Sequence, residues 1–179
     1  MIYNDNMWKK LSSKVIFKHP RLIVEEDEVQ IRSDRTIQYL KYGHGHNGVV
    51  LIARDKHNRV LFIREYSYVL NKRLLQLPMG KIETGESPKT AANRELQEET
   101  GFKASKLTLV GSYFQDHRRS KEKGYVLLAT NLLPSRLVAD QEEQDIEKVW
   151  VSSREITSLI SKGEIVDNAS LTSLRMCNL

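Results

Sequence analysis

The stretch from Gly80 to Phe102 constrains this chain most, because it predicts a short helix with clearly marked ends. Ser87 is a favourable N-cap, and Pro88 suits the first helical position, where its missing N–H would have had no partner. Good or acceptable helix formers follow, and Gly101 stands where a left-handed turn commonly ends a helix. The segment therefore predicts one short helix that is held at both ends.

The acids on this helix are arranged in a way that a free helix would avoid. Glu95 precedes Glu98 by three residues and Glu99 by four, so the three carboxylates share one side, where each like-charged pair costs about 0.2–0.5 kcal/mol. They also lie near the negative end of the helix dipole. An acidic face in solvent is one interpretation. The other is a bound cation, and oxygen ligands without nearby Cys or His favour a hard ion such as Mg²⁺ or Mn²⁺.

These residues resemble the Nudix hydrolase signature, in which glycines, glutamates and one arginine recur at fixed spacing. Every position of the signature is matched, by Gly80, Glu86, Arg94, Glu95, Leu96, Glu98, Glu99, Gly101 and Phe102. The resemblance implies hydrolysis of a nucleoside diphosphate linked to another moiety, with water attacking phosphorus and divalent metal neutralising charge. It also implies an α/β (α+β) fold with a mixed sheet between helices.

The resemblance assigns roles to the signature residues. Glu98 and Glu99 are expected to be primary metal ligands, together with the backbone carbonyl of Met79. Glu95 is expected to be a third or water-mediated ligand with a catalytic part, and Arg94 to orient these acids.

The remaining signature positions have orienting or structural roles by the same resemblance. Glu86 either binds metal in the outer shell or anchors the loop from Gly80 to Gly85. Both of these glycines are expected to adopt backbone angles that other residues would strain to reach. Gly101 ends the helix.

Strand-like segments surround this helix. Three short ones before residue 43 have too few apolar residues to close a core alone, and isolated small sheets are marginally stable. We therefore divide the chain into a β-rich N-terminal extension, 1–43, and a main domain, 44–179. The predicted elements are strands at 13–17, 22–29, 36–42, 49–53, 60–64, 74–77, 107–114, 125–130 and 148–151, with further helices at 153–161 and 168–177.

The resemblance extends over nearly the whole chain to bacterial ADP-ribose pyrophosphatases and related nucleotide-sugar hydrolases. It is carried by Arg64-Glu65-Tyr66, by Leu77-Pro78-Met79-Gly80, and by the tail with Gly163-Glu164-Ile165 and Asp167-Asn168-Ala169-Ser170. It implies conversion of ADP-ribose to AMP and ribose 5-phosphate. It also implies a homodimer in which the N-terminal sheets are exchanged.

A late acidic segment in the same group supplies a general base or an extra metal ligand. Here the segment is 140–145, in which Glu142 is the first candidate and Glu143 the second. The chemistry needs a carboxylate within hydrogen-bond reach of the attacking water. A solvated acidic loop is the alternative interpretation.

Substrate contacts are also suggested by resemblance. Arg64 is expected to bind the diphosphate through its guanidinium fork, with help from Lys81. Tyr66 or Tyr68 either stacks on the base or packs in the core, and core packing is expected for at least one of them. The basic segment 117–123, which contains Arg118, is either a solvated loop or a phosphate contact.

Two departures from that group leave the substrate open. Gln76 stands where a glutamate is common, and residues 115–119 replace a proline-containing loop. The alternatives are therefore GDP-mannose, a dinucleoside polyphosphate, a nucleoside triphosphate or a capped RNA end. A noncatalytic nucleotide sensor is a further alternative, although such modules commonly lose signature acids that this chain retains.

Composition fits one domain with an appendage. The chain has 179 residues, 40% of them hydrophobic, and 28 basic against 23 acidic residues. One cysteine, Cys177, cannot form an internal disulfide, and no apolar stretch approaches the roughly 18–20 residues that span a bilayer. We expect a cytoplasmic protein, with neither a membrane nor a nucleic acid as its partner.

Overall fold

The computed structural model describes residues 8–135 and 145–179. The predicted order of strands and helices is confirmed, with one additional strand at the start of the signature segment. In chain order the elements are β1 Lys9–His19, β2 Leu22–Arg32, β3 Arg35–Gly43, β4 Gly48–Arg54, β5 Arg59–Ser67, β6 Lys72–Gln76, β7 Met79–Lys81, α1 Pro88–Thr100, β8 Phe102–Phe114, β9 Lys123–Pro134, β10 Glu147–Ser152, α2 Ser153–Ser161 and α3 Asn168–Met176.

The chain forms two units, of which the first contains residues 1–46 and 116–122 and the second contains 47–115 and 123–179. The described part of the first unit is a three-stranded antiparallel sheet in the order β1-β2-β3. Asp27 of β2 is buried and binds Lys41 of β3 at 2.8 Å and the hydroxyl of Ser13 at 2.5 Å. A polar cluster therefore joins all three strands.

Residues 116–122, which include all of the basic segment except Lys123, belong to this first unit and are held against β3. Tyr42 donates its backbone N–H to the carbonyl of Arg119 at 2.9 Å, and Nη1 of Arg119 donates to the carbonyl of Leu40 at 2.9 Å. The same guanidinium lies 5.4 Å from the centre of the Tyr39 ring. The segment is exposed, but its second arginine is already used for contacts within the unit.

The second unit is built on one mixed sheet in the order β10-β5-β4-β9-β8, with β6 paired to β5 and β7 to β4. Neighbouring strands are antiparallel except β4 and β9, which run parallel. Strands β4 and β5 form the predicted hairpin, with Ala53 opposite Leu61 and Arg54 opposite Val60. Because β7 pairs with Gly48–Val50, the signature segment is attached to the first half of a central strand.

Side-chain alternation along β4 separates two cores, one on each face of the sheet. Val49, Leu51 and Ala53 pack in the layer that contains Ala91, Ala92 and Leu96 of α1. Val50 and Ile52 pack on the other face, with residues of α2 and α3 such as Ile156 and Leu174. The predicted fold class is confirmed: a mixed sheet lies between helical layers, and an antiparallel sheet precedes it.

The largest differences from the predicted bounds are in β1, β8 and β9. β1 begins at Lys9 and not at residue 13, and β9 ends at Pro134 and not at residue 130. β8 begins at Phe102, directly after the helix, whereas the pattern placed its start at residue 107. β7 was not predicted at all. In the described residues, no helix is long and apolar enough to cross a membrane.

Candidate functional site

The signature helix has the predicted ends. The side chain of Ser87 accepts a hydrogen bond from the N–H of Thr90 at 3.1 Å, and Pro88 opens the helix. Gly101 has φ 69° and donates its N–H to the carbonyl of Gln97 at 2.9 Å. Buried alanines and leucine pack α1 on the sheet, so its acids are presented from a firmly held element.

Arg94 is the centre of the acidic cluster. Its Nη1 donates to Glu95 at 2.8 Å and to Glu98 at 2.9 Å, while Nε and Nη2 both donate to Glu86 at 3.1 Å. Nη2 also donates to the carbonyl of Lys81 at 2.9 Å. One guanidinium thus joins the helix, the preceding loop and β7, which is the geometry of an orienting residue.

The charges of this cluster affect each other strongly. The hydrogen bonds from Arg94 hold the pKa of Glu86 below its ordinary value. In return, Glu86 first and then Glu95 and Glu98 raise the pKa of Arg94. Glu86 also accepts the N–H of Glu83 at 3.0 Å, so it ties down the loop as the anchoring interpretation requires.

Gly80 is required for a different reason from the one the sequence suggested. Its φ lies outside the left-handed region, so the expectation of a strained backbone angle is wrong for this residue. Instead, a Cβ placed there would lie 2.0 Å from Cδ of Glu95, whose side chain is only 7% exposed. The absent side chain leaves room for the Glu95 carboxylate. Gly85, with φ 86°, does fit the original expectation.

Glu99 is bound from the other side of the site. Its Oε2 accepts the N–H of Met79 at 3.1 Å, and Met79 itself pairs with Val50 of β4. The preceding carbonyl, of Pro78, accepts the N–H of Leu51 at 2.9 Å. The backbone at Met79 is thereby fixed beside the last turn of α1.

The donor set consists of oxygen atoms and suits a hard divalent ion. Within residues 8–135 and 145–179, no three His, Cys, Asp or Glu side chains already converge as a metal-binding group. The reason is visible in the contacts: Glu95 and Glu98 bind Arg94, whereas Glu99 accepts the Met79 N–H. The three acids are thus on one helix, and each carboxylate is bound by a group of the protein.

The expected substrate residues have contacts of their own. Arg64 forms long ion pairs with Glu147 at 3.7 Å and Glu164 at 3.6 Å. Lys81 pairs with Glu83 at 2.8 Å. All these groups belong to the second unit, whereas Arg118 belongs to the first. Glu142 and Glu143 lie outside the described residues.

Core packing is the wrong interpretation for the two tyrosines. Tyr66 is 50% exposed and Tyr68 is 88% exposed. Tyr66 donates its hydroxyl to Oδ1 of Asn71 at 2.6 Å, which fixes its orientation at the surface. The end of β5 and the turn that follows it therefore carry aromatic side chains that the core does not use.

Sequence reasoning missed the pair formed by Glu65 and Gln76. Nε2 of Gln76 donates to Oε2 of Glu65 at 2.8 Å, and burial raises the pKa of Glu65. The two residues are on the paired strands β5 and β6. Their spacing of eleven residues carries no local signal. The only sequence signal was the glutamine itself, which departs from the resembled group.

Several known proteins are similar to this chain in sequence or in fold. The ADP-ribose pyrophosphatase of Bacillus subtilis (strain 168) is 24% identical over 173 residues, covering 96% of this chain and 92% of the relative. The ADP compounds hydrolase NudE of Escherichia coli (strain K12) is 34% identical over 101 residues, covering 56% of this chain and 54% of the relative. The crystal structure of an ADP compounds hydrolase has the same fold, with a TM-score of 0.87 at 22% identity, over 96% of this chain and 92% of that one.

The family comparison covers most of the chain. The profile of the NUDIX domain matches residues 44–171, which include the acidic helix, the loop before it and the whole central sheet. Hydrolases of this kind generally use divalent metal ions. Because the profile covers well over half of the chain and every signature position is present, this protein belongs to the Nudix hydrolase family.

Proposed function

We propose that this enzyme hydrolyses the pyrophosphate bond of a nucleoside diphosphate linked to another moiety, in a Mg²⁺-dependent reaction. ADP-ribose is the proposed substrate, so that addition of one water yields AMP and ribose 5-phosphate. The observation that carries the proposal is the Arg94 cluster, in which one guanidinium binds three signature glutamates on and before a capped helix. Two relatives, an ADP-ribose pyrophosphatase and an ADP compounds hydrolase, support the choice of substrate.

The residues have separate parts in this proposal. Glu98, Glu99 and the carbonyl of Met79 hold the metal, with Glu95 as a further ligand. A bound divalent ion neutralises phosphate charge and lowers the pKa of water. Arg94 keeps the glutamates on one side of α1 when no ion screens their repulsion, since it contacts Glu95 and Glu98 at 2.8 and 2.9 Å.

Two further groups complete the proposed site. Glu142, or Glu143 beside it, acts as the general base that accepts a proton from the attacking water. Arg64 and Lys81 bind the diphosphate; their present partners Glu147, Glu164 and Glu83 lie on exposed positions, so an incoming anion can compete with them. The exposed ring of Tyr66 is available to stack on the base.

Dimerisation through the N-terminal extension, 1–43, is part of the same proposal. Every residue of β1 is exposed in the single chain. Its apolar side chains remain about half exposed, with Leu11 at 47%, Val15 at 56% and Phe17 at 51%. A second copy covering β1 would bury this surface and the unpaired strand edge. Light scattering on the wild type and on Val15→Glu tests it: a wild-type monomer at micromolar concentration would contradict the proposal.

The activity test compares the wild type with Glu99→Gln and with Glu28→Gln, a control at a half-buried position of β2 outside the signature. AMP release from ADP-ribose with Mg²⁺ is measured beside GDP-mannose, diadenosine polyphosphates, nucleoside triphosphates and capped RNA. Loss of the carboxylate ligand is expected to lower kcat/KM by at least about 100-fold, or roughly 2.7 kcal/mol, and the control is expected to match the wild type.

Two other outcomes separate the alternatives. A clear preference for another member of the panel would keep hydrolysis as the reaction and change the assigned substrate. Gln76, which binds Glu65 and stands where the resembled group often has a glutamate, is the residue that leaves this outcome open. Nucleotide binding without turnover of any compound would refute the hydrolase proposal and indicate a sensor.

A further inference from the structure

One residue of α3 is bonded to the segment that leads into the proposed metal site. Leu77 follows the last residue of β6, and its N–H donates to Oγ of Ser170 at 2.9 Å. Both residues are fully buried. Two residues further on is Met79, whose carbonyl is a proposed metal ligand. Because Pro78 between them has no N–H, the bond to Ser170 is the last one that a backbone N–H makes before Met79.

The pairing of β7 with β4 fixes the direction of the Met79 carbonyl. Leu51 of β4 donates its N–H to the carbonyl of Pro78 at 2.9 Å, so the backbone groups of Pro78 face β4. Antiparallel strands bond through alternate residues, and the N–H and carbonyl of the next residue, Met79, therefore face away from β4. The N–H of Met79 donates to Glu99 of α1 at 3.1 Å. The Met79 carbonyl is on that same side, beside the last turn of α1.

Ser170 is itself fixed by the start of α3. Oδ1 of Asp167, the N-cap, accepts the N–H of Ser170 at 2.7 Å, and the carbonyl of Asp167 accepts the N–H of Leu171 at 3.1 Å. The helix packs against the sheet in one of the two cores. Leu77 and Pro78, in contrast, belong to neither β6 nor β7. The Ser170 hydroxyl therefore connects a firmly packed helix to a segment without regular pairing.

We infer that Ser170 is a positioning residue for the metal site: its hydroxyl holds the Leu77 N–H and, through it, the Met79 carbonyl at the place that a divalent ion requires. The inference rests on the proposed function, in which that carbonyl and Glu99 hold Mg²⁺. Groups behind the direct ligands commonly change metal affinity by about 10–100-fold. The consequence is that α3, which lies outside the signature, decides how well the site fits Mg²⁺.

Two serines of α3 provide a matched pair of substitutions. Ser173 is on the same helix and is also fully buried, and its hydroxyl has no hydrogen-bond partner among the described residues. Ser170→Ala and Ser173→Ala therefore remove the same atom from buried positions of one helix. Only Ser170→Ala removes the bond to Leu77.

The readout is metal binding to the free protein, without substrate. Mn²⁺ is titrated and followed by its EPR signal, Glu99→Gln shows which Mn²⁺ binds at this site, and Mg²⁺ and Ca²⁺ are measured by competition. Mg²⁺ demands a near-ideal octahedron whereas Ca²⁺ accepts a flexible geometry, so a displaced carbonyl should affect Mg²⁺ more. Ser170→Ala is expected to weaken Mg²⁺ binding about tenfold and Ca²⁺ binding less than about threefold, while Ser173→Ala matches the wild type.

The ratio of the two affinities separates positioning from a merely structural role. A structural role of Ser170 would lower the folded fraction and leave the ratio of Mg²⁺ to Ca²⁺ affinity unchanged. That result, at a temperature where Ser170→Ala is folded, would overturn the inference, and so would equal effects of the two alanine substitutions. A wild type that binds Mn²⁺ but hydrolyses no compound would refute the proposed activity alone, because the comparison of affinities needs no turnover. A wild type that binds no divalent ion would overturn both.

Hydrogen exchange on the wild type covers the case in which Ser170→Ala does not fold. Coupling between two sites is reciprocal, so a bond that favours metal binding is itself favoured by the metal. Mg²⁺ is therefore expected to slow exchange of the Leu77 amide by about tenfold relative to the amide of Leu127, a buried control on β9. Equal slowing of the two amides would overturn the inference.

Discussion

Replacing Gly80 by alanine tests how the acidic cluster is packed. The new Cβ would lie 2.0 Å from Cδ of Glu95 and 2.2 and 2.3 Å from its two oxygens. Ordinary contact begins at about 3.5 Å, so the carboxylate must retreat by roughly 1.5 Å. It has little room to do so, because its side chain is 7% exposed and bound to Arg94 at 2.8 Å.

The magnitude follows from two losses. Overpacking of a filled site costs about 1–3 kcal/mol, and the stretched charge-assisted hydrogen bond adds about 1.5–3 kcal/mol when it breaks. Partial relaxation places the total at roughly 2–4 kcal/mol, which lowers Tm by about 4–16 °C for a domain of this size. If the Glu95 carboxylate acts at the metal site as proposed, displacing it by more than 1 Å is expected to lower kcat by about 100-fold.

The assay combines thermal unfolding with hydrolysis kinetics. Adding Glu95→Asp to Gly80→Ala shortens the acid by one methylene, so most of the lost Tm should return while kcat stays low. A Gly80→Ala enzyme with wild-type Tm and kcat would refute the packing argument. So would a double variant that is less stable than Gly80→Ala alone, since that would place the conflict elsewhere.

Three further predictions concern the helix, its central arginine and the N-terminal sheet. Arg94→Met is expected to lower Tm by about 4–12 °C, because it removes the guanidinium that pairs with the neighbouring carboxylates. The Arg94 side chain is 27% exposed, so the cost is set at about 2–3 kcal/mol, below that of a fully buried pair. Added Mg²⁺ should restore part of the lost stability. Ser87→Ala removes the N-cap and is expected to cost about 1 kcal/mol in denaturant unfolding without changing KM; an unchanged midpoint would contradict the capping role. Burial favours a raised pKa for Asp27, but the hydrogen bonds from Lys41 and Ser13 outweigh it and hold the pKa below the ordinary value of 3.8. The stability that Asp27 adds is therefore present above that value and lost as pH falls through its lower folded pKa. Asp27→Asn should flatten the acid limb of the stability profile, and an unaltered limb would contradict this assignment.

Much of the fold could be predicted from the sequence, because the residues that mark the ends of helices and the faces of strands act over short segments. The ends of α1 depend on Ser87, Pro88 and Gly101, whose effects act within one turn. The alternation along β4 assigns its two faces without knowledge of the neighbours. The start of β8 at Phe102 was missed because the alternation that begins at Phe102 is interrupted by two exposed polar residues, Ser105 and Lys106, before Leu107.

The sequence predicted which residues form the candidate site, but it did not predict how their side chains contact each other. The fixed spacing identified the signature residues, because residues three or four apart in a helix lie next to each other on one side of it. The reason for Gly80 was not accessible, because it depends on a carboxylate fifteen residues later approaching its Cα. The exposure of Tyr66 and Tyr68 was likewise missed, since one strand shows which residues alternate but not what covers them.

Sequence by itself determined the family, the acidic helix and the order of strands, because capping, periodicity and motif spacing are properties of short segments. Tertiary structure alone decided the contacts between segments that are distant in the chain. Gln76 reaches Glu65 across two strands, and the guanidinium of Arg59 on β5 lies over the ring of Trp150 on β10. The physical reason is that strand pairing and layer packing place these groups together, and neither leaves a signal in the residues that lie between them.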